Sequence, residues 1–167
     1  MKNSDLRINI RPMQFLDLIA IFDIHKKLEA EEKYPTYKQF TAQKIFGIST
    51  EATKSTKRPD ILEVAKLIDL GLVAESAGKI CGFTVGRQTY LAERDFQEGE
   101  IAIIAVDPDC RRNGVATKLV NAICDLLRDK GVDSVRIGVD PQDNDLLAFF
   151  EHVGFTGQHL LYLSKTL

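Results

Sequence analysis

No stretch of this chain stays apolar for long. The longest uninterrupted run, Ile101 to Val106, is six residues, against the roughly 20 that cross a bilayer. The opening Met1 to Arg7 has no apolar core for a secretory signal, so a cytoplasmic protein without a membrane partner is expected. An excess of one charge is also lacking: 22 Lys and Arg face 24 Asp and Glu, for a net charge of −2. Non-specific nucleic-acid binding needs a basic surface and is not expected. Cysteine is scarce, and Cys81, Cys110 and Cys124 form no CxxC pair. Neither a disulfide framework nor a zinc ribbon fits, and no metal is expected. Cys81 and Cys124 sit in apolar segments and read as packing residues. Cys110 lies beside two arginines, whose charge would lower its thiol pKa, but no histidine is near in sequence to complete a catalytic pair. The phosphate-loop patterns GxxxxGK[ST] and GxGxxG are both absent.

What is present is an ordinary globular composition, 44% apolar and 28% charged over 167 residues, which suits one domain spanning 1–167. Leu6, Ile8 and Ile10 alternate with polar residues as in a half-buried strand ending at Pro12. Phe15, Leu18 and Phe22, with Ile21, Ile24 and Leu28, mark a helix to about Lys33. Residues 38–58 hold a short apolar cluster and then a polar loop. Pro59 suits a helix start and Gly71 the position past its end. Leu72 to Ser76 and Lys79 to Leu91, joined by Ala77-Gly78, predict a hairpin. Ile101 to Val106 is apolar on both faces and belongs in a covered sheet. Gly114 to Lys130 predicts the clearest helix, Ser134 to Val139 a strand, Asp143 to Val153 a helix, and Thr156 to Lys165 one or two closing strands. The alternation predicts an α/β (α+β) domain on one central sheet.

One segment carries chemistry: Glu100 to Thr117, a buried strand, a tight turn and a helix start. Free amides at a helix N-terminus suit a phosphate or diphosphate. Gly114 allows close approach of the backbone to the anion. Arg111 and Arg112 place two cations where a helix start ordinarily prefers acids, an inversion that makes sense if an anion sits there. The plainer alternative is a strand–helix turn with surface arginines.

Arg111-Arg112-Asn113-Gly114-Val115-Ala116 resembles the Q/R-x-x-G-x-G/A motif of the GNAT superfamily of acyl-CoA-dependent N-acyltransferases. The resemblance extends in order along nearly the whole chain. Ile10-Arg11-Pro12 with Asp17 resembles the first strand and helix start, Ser76 to Phe83 the second hairpin, and His152-Val153-Gly154-Phe155 the closing element. Only residues 34–60 have no match. The resemblance implies a GNAT fold, with a mixed sheet of six to seven strands, about four helices and a splay at the fourth strand. It also implies transfer of an acetyl group from acetyl-CoA to a primary amine by direct attack. The alternatives are a non-catalytic acyl-CoA-binding module and a nucleotide-phosphate enzyme on a similar turn.

By the same resemblance, the diphosphate would sit on Arg111, Arg112, Asn113, Gly114, Val115, Ala116 and Thr117, and the pantetheine arm along Ile104, Ala105 and Val106. Asn144, one residue out of register, is retained as a cofactor contact. Glu100 stands where one branch of the family carries its catalytic glutamate, with Glu98 a second candidate. The acidic run Glu93, Asp95, Glu98 and Glu100 reads either as a lure for cationic amines or as a solvated hairpin. Phe150 replaces the tyrosine that often protonates the departing thiolate, and His152 is the nearest alternative proton carrier. His25 reads as structural. Tyr34 and Tyr37 lie where family members shape the acceptor pocket. The acceptor is a small-molecule amine or a protein or peptide amine, and family precedent makes a homodimer an expectation.

Overall fold

A computed structural model describes residues 7–31, 68–90 and 97–157. Their elements run β1 (Asn9–Pro12), α1 (Asp17–Ala30), β2 (Gly71–Ser76), β3 (Lys79–Tyr90), β4 (Gln97–Val106), α2 (Val115–Asp129), β5 (Ser134–Arg136) and α3 (Asn144–His152). The strands form one sheet in sequence order. β1 to β4 are successively antiparallel, and β5 joins β4 in parallel. The parallel step needs a crossover, which α2 supplies.

The hairpin between β2 and β3 turns on Ala77 and Gly78, both at positive φ (50° and 77°). Positive φ at both central residues matches the twist of the flanking strands. The sheet is covered on both faces. Met13, Ile21, Ile24, Leu28, Val73, Phe83, Val85, Ile103 and Ala105 form the core beneath α1. Leu72, Ala74, Cys81, Ile101, Val115, Leu119, Ile123 and Leu127 form the core beneath α2. Burying each large side chain is worth roughly 1.5–3 kcal/mol.

One expectation is met and one needs correction. The described residues form the expected mixed sheet with helices, and they hold five of the six to seven expected strands and three of the about four helices. The helix expected from Pro59 lies largely outside the described residues, as do the closing strands beyond residue 157. The correction concerns α1, where Ile21, Ile24 and Leu28 are buried but Phe15 stays 68% exposed. The sheet covers one helical stripe, and Phe15 precedes the helix in a turn outside it.

β1 and α1 are joined by charge. Arg11 Nη1 and Nη2 donate to Asp17 Oδ2 and Oδ1, each at 2.8 Å, while its Nε reaches Glu75 Oε2 at 2.7 Å. Asp17 also accepts the Gln14 amide at 2.7 Å. The guanidinium is the main cause that holds the Asp17 carboxyl below its ordinary value, and the Gln14 amide adds to it. A depressed carboxyl contributes stability above its unfolded pKa, about 3.9, and loses it as pH falls through the folded value. The stability gap between wild type and Asp17→Asn should therefore be constant from pH 7 to about 5 and shrink below about 4. Urea unfolding across pH checks this, and a gap unchanged in acid would contradict it.

Candidate active site

β4 is where the sheet opens. Val85 pairs with Ile103 and Gly86 with Ile101, leaving Ala102 as an extra residue in β4. Ala102 and Ile103 both pack toward α1, while Ile101 packs toward α2. Such a bulge bends its strand. The buried Thr84 hydroxyl donates to the Ile103 carbonyl at 2.9 Å, holding the bent segment. On the other edge, β4 pairs with β5 only at Glu98–Ser134, Gly99–Val135 and Glu100–Arg136. From Ile101 to Val106 that edge has no strand partner among the described residues.

The resulting cleft has a volume of about 420 Å³. Glu100 to Val106 form one wall, and Ile137 and Gly138, just past β5, face them. Gly114 to Thr117, with Arg111 and Arg112, close one end. Leu28 of α1 and Asp143, Asp145, Leu146 and Phe149 at α3 complete the lining.

The end formed by α2 leaves backbone donors open. α2 has no side-chain cap and no acidic residue in its first turn. Its first amides have no intrahelical acceptor. Arg112 (φ 62°) and Gly114 (φ 72°) are both left-handed, a conformation that non-glycine residues seldom adopt. Asn113 is not on the wall. Its side-chain amide donates to the Cys110 and Arg111 carbonyls at 3.1 and 3.0 Å and so closes the loop. Arg111 lines the cleft but also binds Glu31 Oε2 at 3.1 Å.

The loop is anchored from below by Asp107, only 2% exposed. Its carboxylate takes Lys27 Nζ on both oxygens at 3.0 Å, Lys79 Nζ at 3.2 Å and the Asp109 amide at 3.0 Å. Burial works to raise the Asp107 pKa, and these donors overcome it, leaving the carboxyl below its ordinary value. Lys27 is correspondingly raised, chiefly by its bonds to Asp109 and Asp107.

Cys110 departs from expectation. It is buried, its Sγ lies 2.8 Å from Cys81 Sγ, and burial pushes its thiol up to about 12 rather than down. The neighbouring arginines do not govern it, because its side chain turns into the core.

At the far end, Glu100 lines the cleft. Glu98 is held by Arg136 Nη1 at 2.8 Å. Asn144 opens α3 and is exposed; its neighbours Asp143 and Asp145 line the cleft instead. Asp143 caps α3 by accepting the Leu146 amide at 3.3 Å. Phe150 is buried between Phe149 and Phe155 in edge-to-face contacts with centroids 5.1 and 5.2 Å away. His152 is exposed and not on the wall. His25 is buried, with Nε2 3.2 Å from Glu29 Oε1. Tyr34, Tyr37, Glu93 and Asp95 lie outside the described residues.

Sequence reasoning missed Leu28, Ile137, Gly138, Asp143, Asp145, Leu146 and Phe149 as lining residues. Phe149 and Leu28 resemble core in any helical pattern. Only the cap position of Asp143, before an apolar helix, carried a usable signal.

A sheet splayed at its fourth strand beside an uncapped helix start is the arrangement that the resemblance to acyl-CoA-dependent transferases implied. The chain belongs to the acetyltransferase (GNAT) family, whose model matches residues 33–155. It is 36% identical over 67 residues to a mycothiol acetyltransferase of Beutenbergia cavernae, covering 40% of this chain and 23% of that protein. It is 30% identical over 83 residues to N-alpha-acetyltransferase 30 of Schizosaccharomyces pombe, covering 50% of this chain and 51% of that one. The chain thus spans about a quarter to a half of the length of these curated relatives. An aminoglycoside acetyltransferase from an uncultured soil metagenomic sample, in complex with trehalose, shares the fold. Its TM-score is 0.66 at 21% identity, over 96% of each chain. An aminoglycoside N-acetyltransferase in complex with CoA superposes with a TM-score of 0.63 at 17% identity, over 99% of each chain.

Proposed function

We propose that the chain is an N-acetyltransferase that moves an acetyl group from acetyl-CoA to a primary amine by direct attack in a ternary complex. The observation that carries the proposal is the open edge of β4 from Ile101 to Val106, which lies between the uncapped start of α2 and Glu100. That span of six residues is on the order of 20 Å at strand rise, comparable with an extended pantetheine arm.

Acetyl-CoA supplies an activated thioester. The amides of Val115, Ala116 and Thr117, with Arg111 and Arg112, hold a diphosphate. The open edge of β4 at Ile104, Ala105 and Val106, on the side away from β3, accepts an extended arm in the manner of an added strand. A backbone amide near Ala105 and Val106 faces the carbonyl oxygen as negative charge develops there. Glu100 takes a proton from the acceptor ammonium, freeing the nitrogen lone pair for attack. The new C–N bond forms as the C–S bond breaks, the sulfur leaves as thiolate, and the remaining excess proton on the acylated nitrogen passes to that thiolate or to solvent. A free thiol has a pKa of about 8.5, so the thiolate is a tolerable leaving group without the tyrosine that Phe150 replaces.

Mycothiol and aminoglycoside acetyltransferases among the similar proteins support a small-molecule amine as acceptor. Tyr34 and Tyr37 remain the proposed acceptor contacts, and Asn144 the weakest of the proposed donor contacts. Among the described residues, no helix is long and apolar enough to cross a membrane.

Thermal unfolding with CoA, acetyl-CoA and ATP tests donor binding, and thiol release over an amine panel tests transfer. CoA and acetyl-CoA should each raise Tm, with ATP well behind. Absence of CoA protection, or equal protection by ATP, would sink the proposal. The buried Phe150 favours one rival, an acyl-CoA-binding module, which predicts tight CoA binding with no turnover on any amine.

A further inference from the structure

The face of the sheet beneath α1 does not stay apolar. Val85 and Ile103, register partners on that face, are buried under α1. One step further, a side chain at Gly86 would meet Ile123 and Leu127 of α2, and its partner Ile101 packs there too. Side chains alternate along a strand, so the next pair, Arg87 and Glu100, returns to the α1 face. Arg136 is the register partner of Glu100 on its other side, and it binds Glu98 at 2.8 Å. Three neighbouring strands thus carry a row Arg87–Glu100–Arg136, of which Glu100 lines the cleft and the two arginines flank it in the sheet.

Directly opposed residues have Cβ atoms roughly 4.5–5.5 Å apart, close enough for Arg87 and Glu100 to form an ion pair. They do not. Among the described residues neither side chain has a hydrogen-bond or ion-pair partner, and Arg87 is exposed. A carboxylate and a guanidinium therefore stand side by side, each with its bonding capacity unspent.

Resting on the acetyltransferase proposal, we infer that Arg87 is a specificity-determining residue that binds a carboxylate carried by the acceptor within a few bonds of its reacting amine. Glu100 faces the ammonium, and the planar guanidinium of Arg87 offers paired donors to the carboxylate. The acceptor class is then a zwitterion of the α-amino-acid type rather than a polycation. A polyamine or aminoglycoside would bring further positive charge against Arg87 and Arg136.

The test measures kcat/KM, and binding to the CoA complex, for L-leucine, L-phenylalanine and L-glutamate against their α-carboxamides. O-Phosphoethanolamine against ethanolamine forms a second arm, and spermidine with an aminoglycoside a third. Comparing wild type with Arg87→Gln and Arg87→Lys cancels the difference in amine basicity between acid and amide. A charge-assisted bond of this kind is worth about 10- to 100-fold. The acid-to-amide ratio should fall by that factor in Arg87→Gln and by less in Arg87→Lys. An unchanged ratio, a wild-type preference for polycations, a larger effect in the phosphate arm, or failure of every acid to bind or react would each overturn the inference. CoA-induced thermal protection, read in the same samples, separates these outcomes from failure of the acetyltransferase proposal.

Discussion

Glu100→Gln should lower kcat/KM for an alkyl amine by about 10²–10⁴-fold at neutral pH, the usual contribution of a positioned base. Glutamine keeps nearly the size of glutamate but cannot take the proton. A lysine-like amine, with a pKa of about 10.4, costs roughly 4.6 kcal/mol to deprotonate at pH 7, whereas the α-amine of a peptide N-terminus, near 7.8, costs only about 1 kcal/mol. The deficit should therefore be largest for alkyl amines and smaller for α-amines. It should also narrow as pH rises toward the pKa of the amine itself, because solvent then supplies the neutral nucleophile. CoA protection should persist, since Glu100 lies at the end of the cleft away from α2. Rate–pH profiles of both forms on one alkyl amine and one short peptide with a free N-terminus measure all of this. A deficit that ignores both pH and amine would assign Glu100 a different task, and no deficit would remove it from the chemistry.

The strand–turn–helix from Glu100 to Thr117 was legible in the sequence because its parts are local. An apolar run gives the strand, glycine gives the left-handed turn, and misplaced arginines point to the proposed anion site. The splay was legible only through the family resemblance. Its cause, the extra residue Ala102 and the loss of pairing after Glu100, is a matter of register between strands. Register also hid the Arg87–Glu100 row, since the two residues are 13 apart in sequence and meet only through the ladder. Cys110 failed for a related reason. Its sequence neighbours are arginines, but its spatial neighbour is Cys81, and side-chain direction in a turn cannot be read from adjacency. Lys27 gave no signal at all, because its partner Asp107 is 80 residues away.

Gly82→Ala should unsettle both the fold and the cleft. A Cβ at Gly82 would stand 2.7 Å from the Ala105 carbonyl oxygen, 3.2 Å from Val115 Cγ1 and 3.3 Å from Leu119 Cδ1. The nearest of these is backbone, and it belongs to the wall proposed to hold the pantetheine arm. Side-chain ends can rotate away, but this oxygen moves only if β4 moves. Overpacking of a filled core costs about 1–3 kcal/mol, and here relief requires parting the Gly82–Val106 pairing. Gly86→Ala is the control: its nearest contacts are Ile123 Cδ1 at 3.1 Å and Ile123 Cγ1 and Leu127 Cδ2 at 3.4 Å, all side chain. Both variants should unfold at lower urea, but only Gly82→Ala should also weaken CoA binding by calorimetry. Equal CoA affinity in the two would mean that β4 absorbs the displacement without passing it to the cleft, and the open edge would then not be the surface on which the donor lies.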